Sequence, residues 1–486
     1  MTYGQSGFLG HIDQADLLQL VAGGRLGQAY TTAFDAGDES FHFFFVESDG
    51  VGAAIGQGRR FTRIPRADLN GPTEWLNHVP ARPTGPNEQA CTACHALPMD
   101  DGGGGIAHNV TRDPLRLGDP TQYIERQTTH LFGSGALQRV AEELTATLHA
   151  LRDAAEAEAC ASGLPVTKAL VAKGISYGSL VATPSTSGPC TVVLDTSGVI
   201  GVSADLVVRP FGWKGDTPTM RQFCRNASNN EIGMQGVELV GQGVDGDFDG
   251  VSDELGVGDV TGMVIYVTGQ PRPLSNLELD RWSLIDPLTP EDKRAIRSGR
   301  QLFEASGCAV CHVPSLTLDD PIFREPSLNP AFRDAVLPAG QDPLVEGLDP
   351  NFAVRYDLTR DLPDNVIVDP NTGQVIVRLG NFKKNASGQA LVELFGDLKR
   401  HDMGAGLAEQ IDEIGTGASV FMTENLWGVG STAPYLHDGR ATTLEQAILL
   451  HGGEAQAARD AFAALPTPAR ADVTAFLANL VLAKIE

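Results

Sequence analysis

Long apolar runs, basic residues and aromatic rings are all scarce in this 486-residue chain. No stretch approaches the roughly 20 apolar residues that a helix needs to cross a bilayer, so no membrane span is expected. The opening MTYGQSGFLG has neither the basic n-region nor the apolar h-region of a signal peptide. Lys and Arg number 36 against 61 Asp and Glu, giving a formal net charge of −25. So acidic a surface repels phosphate backbones and anionic lipid, which excludes nucleic acid as a partner. Aromatics make up only 6% of the residues, and the 55 glycines point to a loop-rich protein. The 42% of hydrophobic residues still suffices for packed cores. At this length two or three domains are expected rather than one core.

Cysteine is scarce as well, seven residues in all, yet four of them fall in two copies of one pattern. The copies are CTACH, from Cys91 to His95, and CAVCH, from Cys308 to His312. Composition alone would give about 0.002 such matches in a chain of this kind. Two thiols three positions apart can each form a thioether to a haem vinyl group, and the adjacent His then reaches the iron. A C-x-x-C redox pair has no need of the following His, and a zinc site wants four clustered ligands. The pattern therefore predicts two covalently bound haem c groups. Cys91, Cys94, Cys308 and Cys311 are the attachment points, and His95 and His312 are iron ligands. Such attachment takes place outside the bacterial inner membrane, so a periplasmic or otherwise exported protein is expected, its export signal trimmed or lying outside this sequence. The acidic surface has two readings, simple solubility and the steering of a basic redox partner such as a small cytochrome or cupredoxin.

The remaining cysteines are Cys160, Cys190 and Cys224. Cys160 and Cys190 flank a Gly-, Ser-, Thr- and Val-rich segment, and a disulfide between them suits an oxidising compartment. Cys224 is then a small buried residue. Before that segment, Leu137, Val140, Leu144, Leu148 and Leu151 recur at helical spacing. Residues 165–210 alternate in the manner of strands, and QPRPLSNLELDRWSLIDPLTP reads as a proline-punctuated linker. After it Thr289 is placed to cap a helix, with Pro290 at its first position and Glu291 and Asp292 at its positive end. The closing TPARADVTAFLANLVLAKIE carries an apolar stripe of Val473, Phe476, Leu477 and Leu480.

Between the motifs lies DGDFDGVSDE, in which Asp245, Asp247, Asp249 and Asp253 fall at positions 1, 3, 5 and 9 of a calcium loop, with Gly250 at position 6. Position 12 is Gly256 rather than the usual bidentate Glu, so Asp259 is the alternative closing ligand. Calcium and a solvated acidic turn are the two readings of this loop.

Several separated segments resemble the di-haem oxidoreductase, putative peroxidase family, which is similar to the bacterial di-haem cytochrome c peroxidases. They are RQTTHLFGSGALQ, RPFGWKGDTPTMRQF, LFGDLKRHDMGAGLAE, NLWGVGSTAPYLHDGR and both haem motifs. The resemblance covers most of residues 85–486 and is weakest in the β segment and over 317–390. It implies a mainly α fold of two cytochrome-c-like haem domains, with long loops and a β-rich insertion in the N-terminal half. Residues 1–280 would form one domain and 281–486 the other, the latter with an insertion at roughly 315–400. The GRQLF that precedes Cys308 is similar to the first helix of a cytochrome c domain, and the closing helix to the last.

In the relatives, the residue on the far side of the second iron follows the His of P-Y-x-H-D-G by fourteen positions, which from His437 leads to His451. Thr443 and Gln446 look like a capping box, and Leu444, Ala447, Ile448 and His451 share one helical face, so His451 points inward. Met403 is the rival ligand. RQTTHLFG is similar to an R-N-x-P-T segment beside the reactive haem, with Arg126 matching the Arg and Thr129 replacing the Pro. His130 is then open to three roles: axial ligand, acid/base group or structural residue. His108 is the other ligand candidate, and Glu125 matches a glutamine of the relatives as a proton-transfer group. FGWKG resembles an aromatic segment near the first haem, with Trp213 as the aromatic. Thr432 and Pro434 match positions whose carbonyls bind calcium in the relatives.

Three functions share these haems. One is an oxidoreductase in which the C-terminal haem feeds a reactive N-terminal haem that meets hydrogen peroxide or another small oxidant. Another is an electron carrier or redox sensor with both irons closed. The third is an oxidase that draws electrons from a partner protein's side chain.

Overall fold

Two buried helix crossings organise the molecule, each made possible by a glycine. In the computed structural model, Gly37 of the Leu26–His42 helix meets Gly262 of the Val257–Thr268 helix so closely that a Cβ on Gly37 would stand 2.1 Å from the Gly262 carbonyl oxygen. In the C-terminal half, a Cβ on Gly299 of the Pro290–Ala305 helix would stand 1.8 Å from the Asp472 carbonyl oxygen of the Thr467–Ala478 helix. The last helix thus packs across the first one after the linker region, as its resemblance to the last helix of a cytochrome c domain implied. Gly299→Ala is expected to force these helices apart at a cost of about 2 kcal/mol or more, seen as a lowered Tm in a thermal melt.

The structure describes residues 8, 10–52, 77–78, 86–107, 109–112, 114–115, 117, 119, 121–185, 188–334, 337–338, 341–360, 366–369, 371–378 and 381–484. His108 lies outside the described residues. Among those described, no helix is long and apolar enough to cross a membrane.

The Ser134–Ser162 helix buries Val140, Leu144 and Leu148 completely, as the periodicity implied. Its outer half carries an antiparallel sheet of Val166–Ala172, Ile175–Pro184 and Val192–Asp195, whose buried Ile175, Tyr177, Leu180 and Ala182 form the inner face. Cys160 and Cys190 form a disulfide that ties the helix end to this ribbon, and Cys224 is a buried free thiol.

The expectation of a mainly α protein is corrected: helices and small sheets are mixed, with several two- and three-stranded antiparallel sheets beside the helices. The physical reason lies in the insertions. Short extended segments there leave backbone donors and acceptors that local antiparallel ladders satisfy. Much of the strand content falls in the 315–400 insertion, where Leu316–Leu318 pairs Ala390–Val392 and Ile322–Glu325 pairs Val354–Asp357.

That insertion lies against the N-terminal half. Glu325 reaches the fully buried Arg221 at 3.1 Å, and Asp334 pairs Arg225 at 2.6 Å. Glu238 closes the cluster from beside both arginines. Buried charges persist only when paired in this way, and removing one partner typically costs about 3–5 kcal/mol. The stretch read as a bare linker is folded too. Leu274–Ser275 pairs with Leu480–Val481, and Ser275 with Glu278 forms a capping box for the Asn276–Arg281 helix.

Candidate functional site

The second motif follows directly from the end of the Pro290–Ala305 helix. That helix starts as its sequence implied, with the Thr289 hydroxyl accepting from the Asp292 N–H and the Asp292 carboxylate accepting in return. Phe303 in its last turn is buried against Phe395 and Phe476. Gly307, at φ 89°, adopts the left-handed backbone that turns the chain into Cys308–Val310. This single tight turn brings Cys308, Cys311 and His312 together, with the His312 N–H donating to the Cys308 carbonyl at 3.0 Å.

His451 arrives from the opposite side. Thr443 caps the Leu444–Leu450 helix by accepting from the Gln446 N–H, while the Gln446 side chain turns back to Thr442 rather than completing a box. His451 is the residue at which this helix stops, its backbone already extended at ψ 137°. The two imidazole rings lie with centroids 6.5 Å apart and their planes tilted by 53°. Each ring's Nδ1 is tied to a backbone carbonyl, His312 to Phe395 at 3.0 Å and His451 to Ala447 at 2.7 Å. This is the outer hydrogen bond that orients metal-binding histidines and leaves Nε2 for the metal. Burial pushes His312 down to about 4 and lowers His451 as well, which keeps both neutral, the ligating form.

Both residues line a cavity of about 490 Å³, together with Cys308, Cys311, Phe303, Leu444 and Ile448. A planar apolar group of haem size fits such a volume. Met403 also lines this cavity, held by its backbone N–H on Ser419, so both ligand candidates reach it. Beside it His401 is clamped between Asp397, at 2.9 Å, and Glu454, at 2.8 Å. Although burial opposes its charge, these carboxylates and the nearby Cys311 raise its pKa to about 11.

The far end of the cavity is polar. His437 is 4% exposed and stacks on Phe421 at 4.3 Å. Its backbone carbonyl accepts from the Gln127 N–H at 2.7 Å. Trp213 donates its indole N–H to the Gln127 carbonyl at 2.8 Å and lines the same cavity. Lys214 is buried, with Nζ 4.0 Å over the Phe421 ring and 3.2 Å from Glu409. Arg126 pairs with Glu409 and, at 2.9 Å, with Glu413. Arg126 is therefore committed to an ion-pair network, and Glu125 is exposed on the Tyr123–Arg126 strand. Lys214, Glu409 and the inward placement of His437 were not anticipated from sequence.

The first motif is a similar tight turn at Cys91–Ala93. Burial pushes the Cys91 thiol up to about 12, raises Cys94 and moves Cys308 to about 11. A thiol redox pair needs a lowered pKa, which these cysteines do not have. His95 is pushed down to about 4 by burial and packs 5.8 Å from the Phe41 ring. His130 lies nearby and is also lowered to about 4, chiefly by burial with His95 adding to it. Its Nε2 is 2.5 Å from the Trp427 carbonyl, and its Nδ1 is buried without a hydrogen-bond partner among the described residues. His130 also lines the cavity of the second site, which Cys91, Cys94 and His95 do not. At both motifs the donor set fits haem: two thiols three positions apart beside a neutral imidazole.

In the acidic loop, Asp245, Asp247 and Asp249 do come together. Asp245 accepts the backbone N–H groups of Phe248, Asp249 and Gly250, as a turn-capping residue does. Asp253 is drawn away to the Gly243 N–H at 2.6 Å. Asp259 does not close the loop, because it caps the Val257–Thr268 helix and binds His11 and the Ile12 N–H.

Residues 377–480 match the family model described as Di-haem oxidoreductase, putative peroxidase. Among solved structures, hydrazine synthase of Kuenenia stuttgartiensis, pressurised with 20 bar xenon, is similar at 13% identity, with 90% of this chain and 94% of that chain covered and a TM-score of 0.31. A MauG-like protein associated with microbial copper homeostasis is similar at 17% identity, with 55% of this chain and 68% of that chain covered and a TM-score of 0.27. At these scores neither structure carries an argument about this chain. No curated protein matches the sequence.

Proposed function

This chain is related to the di-haem oxidoreductase, putative peroxidase family through residues 377–480, and we propose that it is an exported c-type di-haem oxidoreductase with peroxidase-like chemistry. Haem is the cofactor this family implies, and when bound it supplies an iron able to exchange single electrons. In this reading Cys308, Cys311, His312 and His451 hold the electron-transferring haem. Cys91, Cys94 and His95 hold the reactive one. Residues 1–280 and 281–486 are the two haem-bearing units, joined by the 315–400 insertion. The observation that carries the reading is the pair of His312 and His451 lining one cavity with ring centroids 6.5 Å apart, each tied through Nδ1 to a backbone carbonyl.

The protein's own groups then have distinct tasks. The carbonyls of Phe395 and Ala447 fix both rings of the second site. Trp213 and Gln127 join the polar end of that cavity to the segment carrying Thr129 and His130, which runs beside His95. His130, neutral and buried, is assigned as the group that holds and moves a proton at Nδ1 next to the first site. Arg126, paired with Glu409 and Glu413, keeps the charge of that wall fixed, and Glu125 faces solvent away from it. Calcium at Asp245, Asp247 and Asp249 would be structural. A small cytochrome or cupredoxin suits the acidic surface as electron donor.

Hydrogen peroxide added to the purified di-haem protein should change the spectrum of one haem only, and His130→Gln should slow that change by about 10²–10⁴-fold. Stopped-flow absorption reads both. Two haems that ignore peroxide and cyanide alike would mean that both irons are closed and that the chain is an electron carrier.

A further inference from the structure

Behind the first motif lies a buried phenol–carboxylate–ammonium triad that plays no part in holding haem. Tyr266, 1% exposed, donates its O–H to Asp101 Oδ2 at 2.9 Å. The Lys484 ammonium sits 2.6 Å from the same oxygen, and Asp101 is fully buried. A buried carboxylate is tolerated when paired; burial raises the Asp101 pKa, and Lys484 and Tyr266 oppose that rise. Asp101 is also held at φ 61°, in the left-handed region where non-glycine residues are uncommon. Tyr266 therefore faces a carboxylate placed to take its proton, within the distance that proton transfer needs.

The rings around it form a connected series. Tyr266 lies 5.3 Å from Phe41, and Phe41 lies 5.8 Å from His95. On its other side Tyr266 is 6.0 Å from His42, which is about a third exposed and bonded to Asp38 and Asp100. A buried tyrosine with a local proton acceptor thus stands between the first haem's histidine and the surface.

We propose that Tyr266 is a redox-active tyrosine that returns an electron to the first haem while Asp101 takes its phenolic proton. The proposal rests on the reading that the first haem meets hydrogen peroxide. Peroxide accepts two electrons and two protons as its O–O bond breaks, giving two waters, and the haem pair supplies both electrons. Tyr266 gives back one of them across Phe41, becoming a phenoxyl radical as Asp101 becomes a carboxylic acid. An external one-electron donor at the His42 face then reduces the radical, and the proton returns from Asp101 to the phenol.

Freeze-quenched paramagnetic resonance of the di-haem protein after peroxide addition tests this, with haem absorption followed in parallel. Wild type should give a tyrosyl signal that narrows when the protein carries ring-deuterated tyrosine. Tyr266→Phe keeps the ring, and Asp101→Asn keeps the acceptor's volume; each should cut the signal about tenfold or more, because each breaks the proton-transfer pair. Tyr356→Phe should retain it. A radical of undiminished yield in Tyr266→Phe, or one that deuterated tyrosine does not narrow, overturns the proposal while leaving the peroxide reading intact. So does a haem that responds to peroxide with no protein radical. Haems that do not respond to peroxide overturn the reading and the proposal together.

Discussion

His451→Ala should convert the second haem from low-spin to high-spin, with Met403→Ala leaving the low-spin signal in place. The expectation comes from the 6.5 Å separation of the His312 and His451 rings and from the carbonyl that each Nδ1 engages. Removing the His451 imidazole leaves the far side of that iron to water or nothing, and axial-ligand identity is a main control on haem potential. The potential should therefore shift, and electron delivery to the first haem should slow although nothing at the first motif has changed. The vacated space should also destabilise the C-terminal half by about 2 kcal/mol. Resonance Raman or paramagnetic resonance separates the alternatives. A low-spin signal abolished by Met403→Ala and kept in His451→Ala reverses the assignment.

Replacing Cys308 and Cys311 together by Ala should remove one covalent haem and leave the other, so that the haem remaining on the denatured chain falls by about half. Replacing Cys91 and Cys94 should remove the other half. Burial pushes the Cys91 and Cys308 thiols up to about 12 and about 11, and none of the four is in a disulfide in this structure. Mass spectrometry of the unfolded wild type should show both haems attached. A wild-type chain that sheds its haem on denaturation refutes covalent attachment at either motif.

What the sequence made legible was local. The Thr289–Pro290–Asp292 helix start, the Thr443 cap before His451 and the stripe of the Thr467–Ala478 helix each rest on residues within a turn or two of one another. The Cys160–Cys190 bridge was foreseeable from its flanking positions and the expected compartment. The polar wall of the cavity was not legible, because Arg126 and Glu409 are 283 positions apart and no periodicity connects them. The placement of Glu125 and Asp259 was not legible for a related reason. One faces solvent on a strand end, and the other is claimed by a helix N-terminus and His11. The small sheets were missed because their strands are two to four residues long in most cases, too short for alternation to stand out.

The ion pair between Lys484 and Asp101 spans 383 positions, and the ladder of Leu480–Val481 on Leu274–Ser275 spans some two hundred. Contacts of such long range form late, because loop-closure entropy must be overcome before they contribute. On a ribosome the surroundings of the first CTACH segment emerge early, yet Asp101 cannot receive its buried counter-charge until residue 484 has been made. A nascent chain thus presents its first haem-attachment segment in an unfinished setting while synthesis continues. The order of the genetic message therefore leaves the charge cluster behind that segment incomplete until the last residues of the chain are in place.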